Sequence, residues 1–563
     1  MKHWTVLAGV VALGIASVVV SERRKVDVSA SPAALLYLVA DTEQELMRMP
    51  VTFTRMSDPE EIRIGNELAS SYRIRDDQTP AVSTVERYLT QVGSQLASHA
   101  HRKLPYRFHY IPNPNLINAF ALPGGHVYVG QGLLALMDSE DELAAVVGHE
   151  IEHIDHYHCA ERVQQEEALR KIPLGGLVAL PVEVFEAGYS KDQELEADRE
   201  GTRLAVETGY SANGAIRMFE SFARLYGEYQ VRAKTPQGEV SQVALQTLEG
   251  YFRSHPLPSE RIAQVQQLIA REGWAARPER DLAVAFIFLT AKAQNAFAAH
   301  RYSEAEQLAN RSLRLQPEQP KALEWLARAQ FAQANFSAAA ETYRKILESD
   351  SSNPEMVAAY AETLAASDRR SAVVEFRRWA EGTKGYQPKA VEVAEAGLAL
   401  LSGNPEAAQR LEAEFTQGDA AQAPQLVGEL GWWHYLNGDY QKAMDLLSAE
   451  VQQRPGRVRP SLRLAWAKME VRQYRDALEV LNDIASNQQV PAERKMARAV
   501  ARWQAQDHAE ALRYFGFAVR DQPEWENANW VKALYSPRVA QSVEQMQAEH
   551  EHEQQRARVA ANR

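Results

Sequence analysis

The chain has 563 residues, of which 45% are hydrophobic and 24% charged, and its formal net charge is −12. A chain of this length exceeds a single core, so two or three domains are expected. An acidic balance without a concentrated basic face excludes a general nucleic-acid binder, because phosphate contacts need clustered lysine and arginine. Cys159 is the only cysteine, which excludes an internal disulfide and a zinc site built from several thiolates.

The N-terminus combines a positive charge with an apolar run. Lys2 precedes 17 uncharged residues, from Trp4 to Val20, and the charged cluster from Glu22 to Lys25 follows them. A membrane-spanning helix needs about 20 apolar residues, whereas a cleaved secretory signal has an apolar core of about 7–15 residues. Residues 1–25 are therefore predicted to be a cleaved signal peptide or an uncleaved inner-membrane anchor. Both predict export, and the anchor predicts membrane association through residues 4–20.

Residues 26–57 are predicted to form a linker, and residues 58–284 to form a domain in which helices alternate with a few short strands. Amphipathic spacing predicts two helices, and short apolar segments between turn signals predict three strands. The predicted elements are the helices Glu60–Tyr72 and Val82–Ala97 and the strands Tyr106–Ile111, Ala119–Leu122 and Val127–Val129. The fold class predicted for the whole chain is mostly α with a small β-sheet.

A further helix is predicted from a capping box. Ser139 followed by Glu142 is the pattern that starts such a helix, and the helix is expected to run to about His158. Apolar side chains recur along it at Leu143, Val146, Val147, Ile151 and Ile154. This spacing predicts that one side of the helix is buried.

The same helix contains the sequence His149-Glu150-Ile151-Glu152-His153. Two histidines four residues apart project from one helix face, where their imidazoles can share a zinc ion. Glu150 lies beside the first ligand and can act as the general base for a water molecule. A chance match on an exposed helix is the alternative, and the apolar side of the helix argues against it. The motif predicts a zinc-dependent endopeptidase.

Catalytic zinc takes three protein ligands and leaves one position open for water. The metzincin spacing would require histidine at position 159 and glycine at position 156, but the chain has Cys159 and His156. Better candidates are Glu194 and Asp198, which are four residues apart on a second predicted helix. Glu194 would complete a site of two histidines and one glutamate, and Asp198 would orient a ligand imidazole through its free N–H.

The C-terminal half has an internal repeat. Ala305 and Ala339 are 34 residues apart, and Ala443, Ala477 and Ala511 follow one another at the same step. A 34-residue period with a small residue at the packing position is typical of tetratricopeptide repeats. Residues 285–536 are therefore predicted to form an α-helical solenoid with degenerate middle repeats. Residues 537–563 are predicted to be a charged tail, either a terminal solvated helix or a frayed end.

Four segments together are specific to a known family: Asn118–Gly125, Gly148–His153, Glu194–Asp198 and Ser254–Arg261. With the trailing repeats they resemble the HtpX/BepA-like gluzincin zinc metallopeptidases, in particular the BepA-type branch with C-terminal tetratricopeptide repeats. The resemblance implies an α+β gluzincin domain, one Zn²⁺ per chain and a periplasmic location. It also implies clients among outer-membrane proteins and partners in their assembly machinery.

The resemblance also implies roles for single residues. It selects Glu194, rather than Glu196, as the third zinc ligand, and it matches Asp198 to an acidic residue that the family assigns as a proton donor. His255 matches a histidine that can occupy the open position of the zinc and so regulate the enzyme; a loop histidine fixed by neighbouring prolines is the alternative. A further segment matches the family's active-site edge strand, with an ordinary buried strand as the alternative. This segment contains Asn118, Ala119, Phe120 and Ala121.

These observations predict an exported zinc endopeptidase that hydrolyses unfolded or misassembled envelope proteins and binds clients or partners on the concave surface of its repeats. The apolar segment 172–184 is predicted to be a lid or docking loop over the cleft. The alternative from another class is a chaperone or scaffold whose proteolysis is latent or absent. A prenyl-protein protease is disfavoured, because one apolar run provides no membrane chamber.

Overall fold

The computed structural model describes residues 56–71, 79–170, 189–232, 258–383, 388–415, 423–484 and 492–561. The chain divides into two compact units, Met1–Ala285 and Phe286–Arg563, which are described separately. Residues 1–55, segment 172–184 and His255 lie outside the described residues, so what the sequence predicts for them stays a prediction. Within the described ranges, no helix combines the length and apolar character needed to cross a bilayer.

The N-terminal unit places helices around a small sheet. In chain order its elements are α1 (Asp58–Ser71), α2 (Pro80–Ala97), β1 (Arg107–Ile111), β2 (Ala119–Leu122), β3 (His126–Gly130), α3 (Gln131–Leu134), α4 (Glu140–Asp155), α5 (His158–Arg170), α6 (Lys191–Glu207), α7 (Asn213–Arg232) and α8 (Pro258–Glu272). The predicted helices and strands of this unit are confirmed, with ends that differ by one or two residues. The predicted capping box is also confirmed: the Glu142 amide donates to Ser139 Oγ at 3.2 Å, and Glu142 Oε2 accepts from the Ser139 amide at 3.2 Å.

The sheet has the strand order β1-β3-β2, so β2 is an edge strand. β1 runs parallel to β3, and β2 runs antiparallel to it with Phe120 opposite Tyr128. The turn between β2 and β3 uses Gly124 at a φ of 75°, and its amide donates to the buried Glu61 carboxylate at 3.1 Å. A Cβ at Gly124 would lie 2.6 Å from the Ile62 Cα, so only glycine fits this turn. The four residues of β2 are buried, and β2 packs on α4.

The helix that contains the HExxH sequence is shorter than predicted. α4 ends at Asp155, and α5 begins at His158 in a new direction. The break occurs at Tyr157, whose φ of 62° is left-handed and incompatible with a continuing helix. Arg102 lies 3.8 Å above the Tyr157 ring and holds it in this turn. Helical periodicity alone could not reveal the break, because it depends on a contact with a distant arginine.

The C-terminal unit is a stack of paired helices. Its elements are α9 (Ala285–Ala298), α10 (Tyr302–Leu315), α11 (Pro320–Ala332), α12 (Phe336–Ser349), α13 (Pro354–Ser367), α14 (Ala372–Gly382), α15 (Pro388–Leu401), α16 (Glu406–Glu414), α17 (Pro424–Asn437), α18 (Tyr440–Gln453), α19 (Val458–Glu470), α20 (Tyr474–Asn482), α21 (Ala492–Gln504), α22 (His508–Asp521), α23 (Ala528–Leu534) and α24 (Pro537–Ala561). The five alanines of the 34-residue period are completely buried, and each is the fourth residue of its helix. The middle repeats are also helical pairs, but their second helices, α14 and α16, have only 11 and 9 residues. The predicted solenoid is therefore confirmed.

The C-terminal tail differs from the prediction. Residues 537–561 form α24, and its first turns pack into the core of the last repeats through Val539, Val543 and Met546. These residues have the i, i+4, i+7 spacing of a helix with one buried face. The high charge of the following turns obscured this short stripe in the sequence.

The first helices of successive pairs line a cavity of about 280 Å³. Glu362, Trp432, Arg463 and Glu493 contribute to its wall from α13, α17, α19 and α21. The chain's own C-terminal residues line it as well, namely Trp525, Trp530 and Tyr535. Aromatic residues from the end of the same unit therefore form part of the surface on which the sequence predicts clients or partners to bind.

Candidate metal centre

The two histidines of the HExxH sequence meet on the buried side of α4. His149 Nε2 and His153 Nε2 lie 3.0 Å apart, and both side chains are almost completely buried. This geometry follows from their four-residue spacing, which places the rings one above the other along the helix. Two imidazole nitrogens this close point at the same small volume.

Glu194 reaches this volume from α6. Its Oε2 lies 3.4 Å from His149 Nε2, and its Oε1 lies 3.6 Å from His153 Nε2. The close approach of α4 and α6 requires glycine, because a Cβ at Gly148 would lie 2.8 Å from the Gly201 carbonyl oxygen. The capping box of α6, in which Ser190 Oγ accepts from the Gln193 amide, fixes the start of the helix at Lys191, three residues before Glu194. The structure thus brings together all three ligands predicted from the sequence.

Glu150 occupies the position after the first histidine and is buried. Burial raises the pKa of its carboxyl group to about 7, and the nearby His149 opposes this shift. A carboxylate whose proton affinity is near neutrality is suited to accept and return a proton at physiological pH.

Asp198 lies one turn after Glu194 and contacts the other nitrogen of the first histidine. Its Oδ1 is 2.9 Å from His149 Nδ1, and its Oδ2 accepts from Arg261 Nε at 2.7 Å. Burial would raise the pKa of Asp198, but Arg261 and His149 keep it below its usual value. A permanent carboxylate at this position orients the imidazole, so the geometry favours this role of Asp198 over that of a proton donor.

The sequence alone assigns no role to Arg261. It is buried, and it pairs with Asp198 from α8. Arg261 is the last residue of the segment Ser254–Arg261, which contributes to the family resemblance but does not by itself assign a role to this arginine. A buried carboxylate and histidine pair needs a compensating cation, and that need could have identified it.

His158 was also missed. Its Nδ1 lies 2.9 Å from His153 Nδ1, and its Nε2 lies 3.2 Å from Glu196 Oε2. The neighbouring His156 lies 3.1 Å from the Glu152 carboxylate, away from the convergent Nε2 atoms. The continuous helix predicted from the sequence would have carried His158 away from His153, so only the break at Tyr157 makes this contact possible.

The three predicted ligands fit a divalent cation. One ligand atom from each of His149, His153 and Glu194 lies within 4.8 Å of the others, and all three residues are buried. Burial lowers the pKa of His149, but the carboxylates of Asp198 and Glu194 raise it to about 10, so the groups around this imidazole favour a positive charge beside it. A donor set of two imidazoles and one carboxylate is the one that catalytic zinc uses in many peptidases.

A mainly apolar cavity of about 30 Å³ adjoins Glu150. Its polar wall consists of His149, Glu150, Asp198, Thr202 and Arg261. Its apolar wall consists of Ala119, Leu133, Ala145, Val146, Ala215, Met218, Phe219 and Phe222. Ala119, the first residue of the edge strand β2, thus lies at the same cavity as Glu150.

The family models match both units of the chain. Residues 83–269 match the model of peptidase family M48, and residues 290–354 and 434–501 match tetratricopeptide repeat models. These matches cover the HExxH helix and α6, which contains Glu194. The repeats indicate a capacity for protein–protein interaction.

Curated relatives share the peptidase region. A Vibrio cholerae serotype O1 protein described as a beta-barrel assembly-enhancing protease is 32% identical over 206 residues, which cover 32% of this chain and 39% of the relative. The beta-barrel assembly-enhancing protease of Escherichia coli (strain K12) is 27% identical over 203 residues, which cover 32% of this chain and 38% of the relative. The mitochondrial metalloendopeptidase OMA1 of Schizosaccharomyces pombe is 26% identical over 213 residues, which cover 36% of this chain and 57% of the relative.

The matched regions span less than two thirds of the length of these relatives. What is common to them is a metallopeptidase domain, which implies a divalent metal ion. The chain therefore carries a peptidase family M48 domain, of the kind found in beta-barrel assembly-enhancing proteases and OMA1, followed by tetratricopeptide repeats.

Proposed function

We propose that this protein is a zinc-dependent endopeptidase of the periplasm that hydrolyses unfolded or misassembled envelope proteins. The observation that carries the proposal is the convergence of His149, His153 and Glu194 next to the buried carboxyl group of Glu150. The names of the beta-barrel assembly-enhancing relatives support envelope proteins as substrates and the outer-membrane assembly machinery as a partner.

In the proposed mechanism His149, His153 and Glu194 hold the metal. Zinc, when bound, supplies Lewis acidity that makes water nucleophilic near neutral pH. Glu150 accepts the proton of the attacking water and returns it to the leaving amine of the cleaved peptide. Asp198 and Arg261 fix the ring orientation of His149 throughout, because the carboxylate is held from both sides.

We propose that the substrate binds as an additional strand beside β2. β2 is at the edge of the sheet, and its first residue, Ala119, lines the cavity that also contains Glu150. The Asn118 Oδ1 atom, immediately before this strand, is buried and has no hydrogen-bond partner. Pairing at a sheet edge requires an extended peptide, which an unfolded or misassembled protein provides and a folded one does not.

The apolar cavity next to Glu150 is proposed to receive the side chain of the residue that follows the cleaved bond. Glu150 gives its proton to the amine of that residue, so the residue must lie beside it. The apolar wall from Leu133, Met218 and Phe222 then favours an aliphatic side chain over a polar one.

Ala215→Leu is expected to fill this cavity, which measures only about 30 Å³. For peptides that differ only in the residue after the cleaved bond, we expect the ratio of kcat/KM for alanine over glycine to fall by about 10-fold, because only a methyl group fits a cavity of this size. The ratio is independent of the fraction of active enzyme, so a partial loss of folded protein does not affect it. An unchanged ratio would mean that the cavity does not bind this side chain.

Removal and return of the metal test the proposed reaction itself. Cleavage of an unfolded outer-membrane protein by the full chain is expected to stop after treatment with a zinc chelator and to return with stoichiometric Zn²⁺. Cleavage that persists in metal-free protein would contradict the proposal. Zinc-loaded protein that binds the polypeptide without cleaving it would support the scaffold alternative instead.

A further inference from the structure

The Nδ1 atom of His153 contacts a second buried histidine, His158. His153 Nδ1 and His158 Nδ1 lie 2.9 Å apart, and His158 is completely buried. On its far side, His158 Nε2 lies 3.2 Å from Glu196 Oε2, whose side chain is about one third exposed. A chain of three polar groups thus runs from the proposed metal ligand to the surface of the domain.

The positions of the protons along this chain follow from the acceptor at its end. A carboxylate can only accept, so His158 Nε2 carries a hydrogen and donates it to Glu196. A neutral imidazole has one N–H, which leaves a lone pair on His158 Nδ1. His153 Nδ1 must then be the donor, and the lone pair of His153 is on Nε2. This is the nitrogen that faces His149 and Glu194.

The backbone conformation at Tyr157 makes the contact between His153 and His158 possible. Tyr157 has a φ of 62°, which turns the chain between α4 and α5 and returns His158 beneath His153. A left-handed conformation is unfavourable for a residue other than glycine and persists only where its surroundings enforce it. Glu196 comes from α6, two residues after Glu194, and its contact joins α6 to the start of α5, where His158 in turn contacts His153 of α4.

We propose that His158 and Glu196 are positioning residues for the metal ligand His153, and that they fix its tautomer so that Nε2 can bind the metal. The inference rests on the metal site of the proposed function, but it concerns metal affinity rather than peptide hydrolysis. Asp198 performs the corresponding task for His149, so each ligand histidine has its own carboxylate, one direct and one relayed through a second imidazole.

The test measures the zinc dissociation constant of the full chain by competition with a chromophoric chelator. His158→Phe preserves a planar ring but cannot accept a hydrogen bond, and we expect it to weaken zinc binding by about 10–100-fold. His158→Asn can place an amide oxygen near the position of Nδ1, so it is expected to recover most of the loss. Glu196→Ala is expected to weaken binding more than Glu196→Gln, because glutamine retains an acceptor oxygen.

Glu207→Gln is the matched control on α6, because Glu207 is the exposed last residue of this helix, 13 positions after Glu194, and we expect no change in affinity. Equal affinity for wild type, His158→Phe and Glu196→Ala would overturn the inference while leaving the proposed peptidase intact. Equal weakening by His158→Asn and His158→Phe would also overturn it, because the effect would then be one of packing. A wild type that binds no zinc would overturn both.

Discussion

Glu150→Gln is expected to abolish cleavage of an unfolded polypeptide while zinc remains bound. Glutamine has nearly the same shape but cannot accept the proton of the attacking water, and general acid–base catalysis contributes about 10²–10⁴-fold to a rate. The wild-type carboxyl group is well suited to this role, since burial raises its pKa to about 7. The measurement is kcat on a fluorogenic peptide, with the zinc content of both proteins determined in parallel.

The sequence supplies a matched control two residues away. Glu152 is on the same helix and is also buried, but it faces His156 at 3.1 Å. Glu152→Gln is therefore expected to change kcat by less than a factor of a few, since the proposed mechanism assigns it no proton. Full activity in Glu150→Gln would exclude Glu150 as the base. Equal client binding by wild type and variant, without cleavage by either, would favour the chaperone or scaffold alternative.

The ligands of the proposed centre could be predicted because each lies in a short regular pattern. The spacing of His149 and His153 needs only the helical period, and the capping box at Ser139 together with the apolar face indicates a helix there. Glu194 could not be found from periodicity alone, because the sequence contains other acidic helix starts. The resemblance to a family selected it, and the close crossing at Gly148 and Gly201 explains how α6 can approach α4.

What the sequence did not reveal depends on contacts between distant segments. The turn at Tyr157 depends on Arg102, and without that turn His158 would not lie beneath His153. The pairing of Arg261 with Asp198 joins α8 to α6 across 63 positions of the chain, a separation at which no local pattern operates. His158 and Arg261 are proposed to support ligands rather than to bind the metal, so no rule of ligand spacing applies to them.

The C-terminal unit shows the same difference between local patterns, which the sequence reveals, and contacts between distant residues, which it does not. The 34-residue alanine period identified the helical pairs because it is local and repeated. By contrast, Trp525 and Trp530 line the cavity together with residues that are far from them in the chain, so no local pattern predicts this arrangement. A client that binds at this surface must fit beside these aromatic residues or displace them.

Glu194→Gln is expected to produce the largest loss of metal. The neutral amide of glutamine is a much weaker zinc ligand than a carboxylate, and the two histidines alone leave the ion undercoordinated. We expect the zinc dissociation constant to rise by more than about 100-fold, beyond the range typical of residues that support ligands. Zinc content after dialysis and chelator competition measure this change, and peptidase activity should fall in proportion to bound zinc.

Comparison with Glu196→Gln decides between two carboxylates that the sequence places two residues apart. Glu194 is completely buried and lies 3.4 and 3.6 Å from the two histidine Nε2 atoms. Glu196 instead pairs with His158, His156 and Arg199. Because the amide oxygen introduced by Glu196→Gln would still accept a hydrogen bond from His158, the effect of this change on affinity should be the smaller of the two by at least about tenfold. If Glu196→Gln instead lost the metal and Glu194→Gln retained it, the ligand set would be wrong. The assignment of Glu150 as the base beside that set would then lose its geometric support.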